Sequence, residues 1–287
     1  MQNSYAIAHD PLDDRQFQLV VRRLADSLSF GSDNSPFLGA GIEFAQSRPY
    51  LYGDPIKSMD WRVTARTGKL HIKEYEAPRR MPFYILMDTS ASMCISSLPI
   101  SKYAWAVRLA SGLALAAQAR MSPVGILGCG ERELHVRPTL SRNMVYQWSH
   151  HLRTHNFLEN TTVGQSVREL APTLESRSVL VVISDLHDPD ALPALKLASQ
   201  EHECVVFQLQ DPAERGRIGG GIFRAREAES NRSFVSHGRR KWMNQEALER
   251  QLRLARVDHL LLRTDEEFLS KLHWFLKQRG CFGKGLR

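Results

Sequence analysis

The segment Asp88-Thr89-Ser90-Ala91-Ser92 contains the residue types best suited to chemistry in this chain. Its acid and its two serines alternate, so a tight turn can direct one carboxylate and two hydroxyls toward a common point. Carboxylate and hydroxyl oxygens are hard ligands of the kind that Mg²⁺ prefers, usually with some bound water retained. The spacing therefore predicts part of a divalent-cation site.

Further oxygen ligands stand at two later places in the chain. Asp185 comes just after the apolar run 179–183, and two threonines follow Asn160. Ligands of open α/β sheets bind beyond the carboxyl ends of the strands, so Asp185 is expected at the same sheet edge as Asp88. Either threonine hydroxyl can face that edge, and both remain candidates. The predicted metal ligands are Asp88, Ser90, Ser92, Thr161, Thr162 and Asp185.

The same residues allow other interpretations. Ser and Asp after a strand are common helix caps and turn formers, so the chain can also be a scaffold that binds without metal. A serine hydrolase would use Ser90 or Ser92 with Asp185 and His259, but the loop lacks the glycines of a nucleophile elbow. A phosphatase using Asp88 usually needs a second acid two residues on, where Ser90 stands. We therefore expect no catalytic residues and a protein that is not an enzyme.

The elements around these residues alternate between strands and helices. The strand at 83–87 is a continuous apolar run, as expected for a strand that is buried on both faces. Such alternation predicts an α/β fold with an open, mainly parallel sheet and helices on both faces. The other predicted strands are 124–127, 134–136, 179–183, 204–209 and 259–262, and the predicted helices are 101–120, 143–155, 163–175, 192–201, 245–256 and 266–278.

The patterning divides the chain into two parts. Residues 1–80 are predicted to form an N-terminal helix, at about 10–30, followed by a β-rich accessory region. Residues 81–287 form the α/β domain, with a β-rich insertion at about 211–242.

The accessory region combines acids, bases and aromatic residues in a short segment. A buried ion-pair network is the favoured interpretation for Arg48, Asp54, Asp60 and Arg66. Trp61 and Tyr50 are expected to be packing residues, and an exposed aromatic here is the alternative because it can anchor a partner.

Composition excludes several classes of protein. Of the 287 residues, 43% are hydrophobic and 24% are charged, which is typical of a globular protein. No apolar run approaches the roughly 20 residues that cross a bilayer. The N-terminus has no signal-peptide pattern and the four cysteines form no C-x-x-C pair, so we expect a cytoplasmic protein without a membrane partner. The net charge of +7 comes from dispersed basic residues, which does not favour specific nucleic-acid binding.

A distinctive set of motifs precedes the first buried strand. They read GIEF at 41–44, RPY at 48–50, GD at 53–54, KSMDW at 57–61 and ARTGKL at 65–70, and Ser184-Asp185 and Asp211-Pro212-Ala213-Glu214 come later. From about residue 39 onward the chain resembles the domain of unknown function 58 family, a von Willebrand A-like group often encoded beside MoxR-type AAA+ ATPases.

The resemblance implies a von Willebrand A-like fold with a metal-ion-dependent adhesion site, which would hold Mg²⁺ or, in its place, Mn²⁺ or Ca²⁺. It also implies a non-enzymatic adaptor with two kinds of partner. One is a MoxR-type AAA+ ATPase, and the other is a protein ligand whose acidic residue completes the metal coordination. The implied role is chaperone-like maturation or assembly of other proteins.

Overall fold

A computed structural model describes most of the chain. The described residues are 10–29, 43–76, 81–131, 134–154, 159–215, 222–226, 233–237 and 244–282. Much of the predicted insertion at 211–242 lies outside them, and so do residues 41 and 42 of the first family motif.

Among the described residues, two helices, a short 3-10 helix (Ile56–Ser58) and two strands precede the main sheet. Helix α1 is Asp14–Ser29, strand β1 is Glu43–Pro49, helix α2 is Trp61–Thr67 and strand β2 is His71–Glu76. Strands β1 and β2 pair antiparallel. The region that we predicted to be β-rich therefore also contains a helix. Asp60 begins it by accepting hydrogen bonds from two backbone N–H groups, and Gly68 ends it in the left-handed conformation, at φ 70°.

The rest of the chain alternates strands and helices, as the patterning predicts. The strands are β3 (Phe83–Asp88), β4 (Val124–Cys129), β5 (His135–Thr139), β6 (Val179–Ser184), β7 (Glu203–Gln210), β8 (Ile222–Arg226), β9 (Ser233–His237) and β10 (Asp258–Arg263). The helices are α3 (Ala91–Cys94), α4 (Lys102–Ala119), α5 (Arg142–Thr154), α6 (Val163–Leu170), α7 (Ala191–Ala198), α8 (Pro212–Arg215), α9 (Gln245–Leu254) and α10 (Leu269–Phe282).

Six strands form one sheet in the order β10-β7-β6-β3-β4-β5. All neighbours pair in parallel except β4 and β5, which form the antiparallel hairpin predicted from the sequence. Strands β8 and β9 form a separate antiparallel pair within the insertion. The predicted fold class, an open and mainly parallel sheet covered by helices, is confirmed.

Two apolar clusters cover the two faces of the sheet, because the central strands are buried on both sides. Side chains of β3 alternate between them: Ile85 and Met87 lie in one cluster and Leu86 in the other. Helix α4, buried along almost its whole length, fills the first cluster. The carboxyl-terminal ends of β3 and β6 therefore lie between two packed apolar layers.

Helix α1 packs against α4 and shares its core. Phe17, Val21 and Leu24 are buried in the same cluster as the α4 side chains. At the entry to α1, the Asp10 carboxylate accepts a hydrogen bond from Arg108 Nε at 2.9 Å, and both side chains of this ion pair are buried. The division of the chain at residue 80 stays a prediction, but its first helix is packed into the core of the second part.

The accessory region differs from the expected ion-pair network. Arg48 and Asp54 form a two-point pair, with N–O distances of 2.7 and 2.9 Å. Asp60 instead accepts the Ser47 hydroxyl and caps α2. Arg66 is exposed and, within the described chain, pairs with neither acid. The network prediction is therefore only half right, because a short helix needed Asp60 as its cap.

Trp61 was expected to pack, and this is wrong: it is 64% exposed at the first position of α2. Tyr50 is partly buried. Among the described residues, no helix is both long and apolar enough to span a membrane.

Candidate metal site at the carboxyl edge of the sheet

The predicted site lies where the strand order of the sheet reverses direction. Strands β3 and β6 are neighbours, and the chain leaves them toward opposite ends of the sheet. Asp88 is the last residue of β3, and Asp185 directly follows β6. Such a switch point leaves a crevice beyond the strand ends, which is the usual ligand position in open α/β sheets.

The loop after β3 folds back on its own aspartate. The backbone N–H of Ser90 donates to Asp88 Oδ1 at 3.0 Å, which makes a tight turn. Ser90 then begins the short helix α3, and its Oγ lies 3.0 Å from Ser92 Oγ. Ser92 Oγ in turn donates to Asp185 Oδ2 at 2.8 Å. The structure therefore brings the three alternating residues together with the acid that lies nearly a hundred positions later.

The loop before α6 runs beside this turn and distinguishes the two threonines. Ala91 N–H donates to the carbonyl of Glu159 at 2.9 Å, which ties the two loops together. Thr161 Oγ1 then donates to Asp88 Oδ2 at 3.2 Å. Thr162 Oγ1 instead donates to the Gly130 carbonyl, also at 3.2 Å. Of the two candidates, Thr161 faces the acids and Thr162 lies at the start of α6, turned toward Gly130.

Asp88 is fully buried and its charge is poorly compensated. Ser184 Oγ donates to its Oδ2 at 2.5 Å, adding a contact that the sequence did not single out. Among the described residues, the Asp88 carboxylate accepts hydrogen bonds from Ser90, Thr161 and Ser184 but has no ion-pair partner. Burial and the negative charge of Asp185 raise the pKa of Asp88 to about 7, against the opposing effect of its hydrogen bonds from Ser184 and Ser90.

Asp185 has a different environment, because a buried ammonium pairs with it. Lys102 Nζ lies 2.8 Å from Asp185 Oδ2 and also pairs with Glu214. His187 Nδ1 lies 3.4 Å from the same oxygen as Lys102. Burial opposes the change, but Lys102, His187 and the Ser92 hydroxyl together hold the pKa of Asp185 below its ordinary value. Lys102, His187 and Glu214 were not predicted as members of this cluster.

The donor set fits a hard divalent cation on the Asp88 side. Asp88, Ser90, Ser92 and Thr161 present carboxylate and hydroxyl oxygens from two loops, and the buried carboxylate of Asp88 has no ion-pair partner in the described chain. Ser92 and Thr161 are only partly buried, so one side of the cluster is open to an approaching group. Hydroxyl and carboxylate oxygens at such a place are ligands for Mg²⁺, Mn²⁺ or Ca²⁺.

The residues of the alternative triad do not come together as that mechanism requires. His259 Nε2 lies 2.9 Å from Gln208 Oε1, and its imidazole is engaged there rather than with Asp185. Ser90 Oγ contacts Ser92 Oγ, and Ser92 Oγ donates directly to Asp185 Oδ2, so no imidazole lies between that hydroxyl and the acid. Among the described residues, His259 therefore does not serve these serines as the general base that the proposed triad requires.

Comparison with known proteins yields a family match over most of the chain. The family model described as "Protein of unknown function DUF58" matches residues 46–251. The uncharacterized proteins Rv1480 of Mycobacterium tuberculosis and Mb1516 of Mycobacterium bovis are each 25% identical to this chain. Each alignment covers 92% of this chain and 88% of the relative.

Solved structures with a partly similar arrangement were also found. A conserved hypothetical protein BatB from Bacteroides thetaiotaomicron has 16% identity and a TM-score of 0.49, covering 70% of this chain and 99% of that protein. The SpRpn10 VWA domain has 14% identity and a TM-score of 0.42, covering 72% and 98%. Both TM-scores are below 0.5, and the fold of this chain is defined by its own strand order.

Proposed function

Because the chain belongs to the family described as "Protein of unknown function DUF58", we propose that it is a non-enzymatic adaptor that binds other proteins through a divalent cation. This membership confirms the family resemblance seen in the sequence motifs. The family and the fold suggest a role in protein interaction, and the chemistry of the sheet edge makes that suggestion specific.

The observation that carries the proposal is the convergence of oxygen ligands from three loops. Asp88, Ser90 and Ser92 come from the loop after β3, Thr161 from the loop before α6, and Asp185 from the loop after β6. When bound, Mg²⁺, Mn²⁺ or Ca²⁺ would supply positive charge beside Asp88 and an open coordination position. An Asp or Glu side chain of a partner protein is the group that fits such a position.

The remaining parts of the proposal concern the partner and the process. We assign the ATPase partner to the MoxR-type AAA+ class, and the process to chaperone-like maturation or assembly of other proteins. The support is the family resemblance together with a site whose chemistry suits binding better than catalysis. The partner's acidic residue, rather than a nucleic acid or a membrane, is the ligand to which the site chemistry points.

Capture of a MoxR-type AAA+ ATPase by the purified full chain tests this proposal. Capture is expected in Mg²⁺ and is expected to fall at least tenfold in EDTA or with Asp88→Ala. Asp190→Ala is the matched control. Asp190 is an exposed acid in the segment after β6, and it pairs with Arg168 and with none of the proposed metal ligands. Capture that is unchanged by both EDTA and Asp88→Ala would contradict the metal-bridged adaptor.

A metal-free scaffold is the second candidate, and one specific observation favours it. The Lys102 ammonium already supplies a positive charge to Asp185, and the hydroxyls of Ser90 and Ser92 are bonded to one another. The charge of Asp185 and the hydroxyls of Ser90 and Ser92 therefore have partners at this sheet edge without a bound metal ion. In this alternative the ATPase or another partner binds by shape, and capture is insensitive to EDTA.

A further inference from the structure

Lys102 is placed where a cation would be expected. It is the first residue of α4, and its position is fixed by Ser101, whose Oγ accepts the backbone N–H of Ala104 at 3.1 Å. Its side chain is 1% exposed, so the whole aliphatic part and the ammonium are enclosed. A lysine this deeply buried is rare unless its charge is paired, because desolvation of an ammonium is costly.

Two acids from different loops provide that pairing. Asp185 Oδ2 lies 2.8 Å from Lys102 Nζ, and Glu214 of α8 pairs with the same nitrogen. Burial alone would lower the pKa of Lys102, but these two carboxylates raise it above its ordinary value. Lys102 is therefore a positive charge fixed inside the cluster.

The loop between α3 and α4 holds Asp211, whose backbone N–H donates to Glu214 Oε2 at 3.3 Å. Asp211, three residues before Glu214, accepts hydrogen bonds from Ser97 N–H at 2.9 Å and from Ser96 Oγ at 3.0 Å. Glu214 is the more exposed of the two acids that pair with Lys102, with its side chain 24% exposed. The lysine thus joins β6, α8 and α4 at the same edge that carries the proposed metal ligands.

The position of the ammonium coincides with a group of metal-type ligands. One ligand atom each from Asp185, His187 and Glu214 lies within 4.8 Å of the others, a spacing that suits a cation. Lys102 Nζ contacts two of these three residues, Asp185 and Glu214. The cation that this half of the site accommodates is therefore already supplied by the chain.

We propose that Lys102 is a resident cation that occupies the Asp185 half of the site and lowers its affinity for a divalent ion. This inference rests on the proposed function, since it concerns the same edge. A divalent ion bound by Asp88, Ser90, Ser92 and Thr161 would share the cluster with the ammonium. The bound divalent ion and the Lys102 ammonium would repel each other, and both would compete for the Asp185 carboxylate.

Removal of the ammonium should therefore strengthen metal binding instead of weakening it. We expect Lys102→Met, which retains an unbranched side chain only one atom shorter, to bind Mg²⁺ at least about tenfold more tightly than the wild type. Lys102→Arg keeps the charge and is expected to stay within about threefold of the wild type. An ordinary structural role for Lys102 would not raise affinity in either variant.

Isothermal titration of the purified full chain with MgCl₂ measures this directly. Tighter binding by Lys102→Met supports the inference, and measurable binding by the wild type supports the proposed function. Equal affinity in the wild type and Lys102→Met overturns the inference and leaves the metal site standing. Binding by Lys102→Met alone supports the inference and overturns metal dependence in the natural protein. Binding by neither overturns both.

Loss of the lysine leaves two carboxylates without their counter-ion, and this can prevent folding. Circular dichroism of Lys102→Met with and without Mg²⁺ covers that case, and folding that appears only with Mg²⁺ supports the inference. If no folding is seen in either condition, the comparison is made between Glu214→Gln and Glu214→Gln combined with Lys102→Met. Equal Mg²⁺ affinity in that second pair overturns the inference, and tighter binding by the double variant supports it.

Discussion

Asp88→Asn is the substitution in which stability and function should move in opposite directions. The Asp88 carboxylate is fully buried beside a second acid, and its pKa is raised from 3.8 to about 7. The asparagine has nearly the same shape and can still accept the Ser90 N–H, while the hydroxyls of Ser184 and Thr161 can reorient toward its amide. The substitution therefore removes a buried charge without removing the turn.

The expected magnitude follows from the shift of this pKa. A difference of about three pKa units corresponds to an upper value of about 4 kcal/mol, at about 1.4 kcal/mol for each unit. Burial of the amide also costs free energy, so we expect Asp88→Asn to raise the free energy of unfolding by about 2 kcal/mol at pH 8 in EDTA.

The sign of the pH dependence is also determined. The folded protein keeps the Asp88 proton up to about pH 7, whereas the unfolded chain loses it near 3.8. The contribution of Asp88 to the free energy of unfolding of the wild type is therefore fully present below pH 3.8. It is lost as the pH rises from 3.8 to about 7. The advantage of the variant should disappear well below pH 3.8, where Asp88 is protonated in both states.

Urea unfolding followed by circular dichroism measures these differences, with Mg²⁺ and with EDTA. Saturating Mg²⁺ should stabilise the wild type, because a ligand that binds only the folded state adds to stability, and should leave Asp88→Asn unchanged. If the variant is less stable than the wild type at pH 8 in EDTA, the buried carboxylate of Asp88 does not destabilise the folded protein. Such a result would show that the carboxylate is already compensated in the metal-free protein.

Three other substitutions test separate parts of the structure. Thr161→Val should weaken Mg²⁺ binding about tenfold, whereas Thr162→Val should leave it within about twofold by titration calorimetry; equal losses would contradict the assignment of Thr161. Arg108→Met leaves the buried Asp10 carboxylate unpaired and should cost about 3–5 kcal/mol in urea unfolding, and a cost below about 1 kcal/mol would mean that α1 is not anchored there. Asp60→Ala should cost about 1–2 kcal/mol and speed amide exchange in α2, with Asp60→Asn as the control that retains the cap; equal exchange in both would refute the cap.

The main sheet could be predicted because its strands are apolar on both faces. Runs such as 83–87 and 179–183 have no other stable place than the middle of a covered sheet. The convergence of Asp88 with Asp185 followed from the rule that parallel strands end at a common edge. Helix α2 was missed although its cap signals, Asp60 and Gly68, are visible in the sequence. Its aromatic and basic residues resembled a strand region, and its few turns carry little periodicity.

The finer structure of the site depends on geometry that no local pattern encodes. Which threonine faces Asp88 depends on where α6 begins. A shift of one residue in that start would exchange the directions of the Thr161 and Thr162 side chains. Lys102 and Glu214 are 112 positions apart, and their pairing arises only when α4 and α8 meet at the sheet edge. Two sequence signals could have indicated it: a lysine at the start of an otherwise apolar helix, and Glu214 as the last residue of the motif at 211–214.

The most direct test of the proposed metal site is a crystal structure of the full chain soaked in MnCl₂, with anomalous scattering recorded for manganese. We expect an anomalous peak bounded by Asp88, Ser90, Ser92 and Thr161, with the Lys102 ammonium still paired with Asp185. Absence of a peak at that edge under saturating Mn²⁺, with the hydroxyls of Ser90 and Ser92 still bonded to each other, would contradict the proposed metal site.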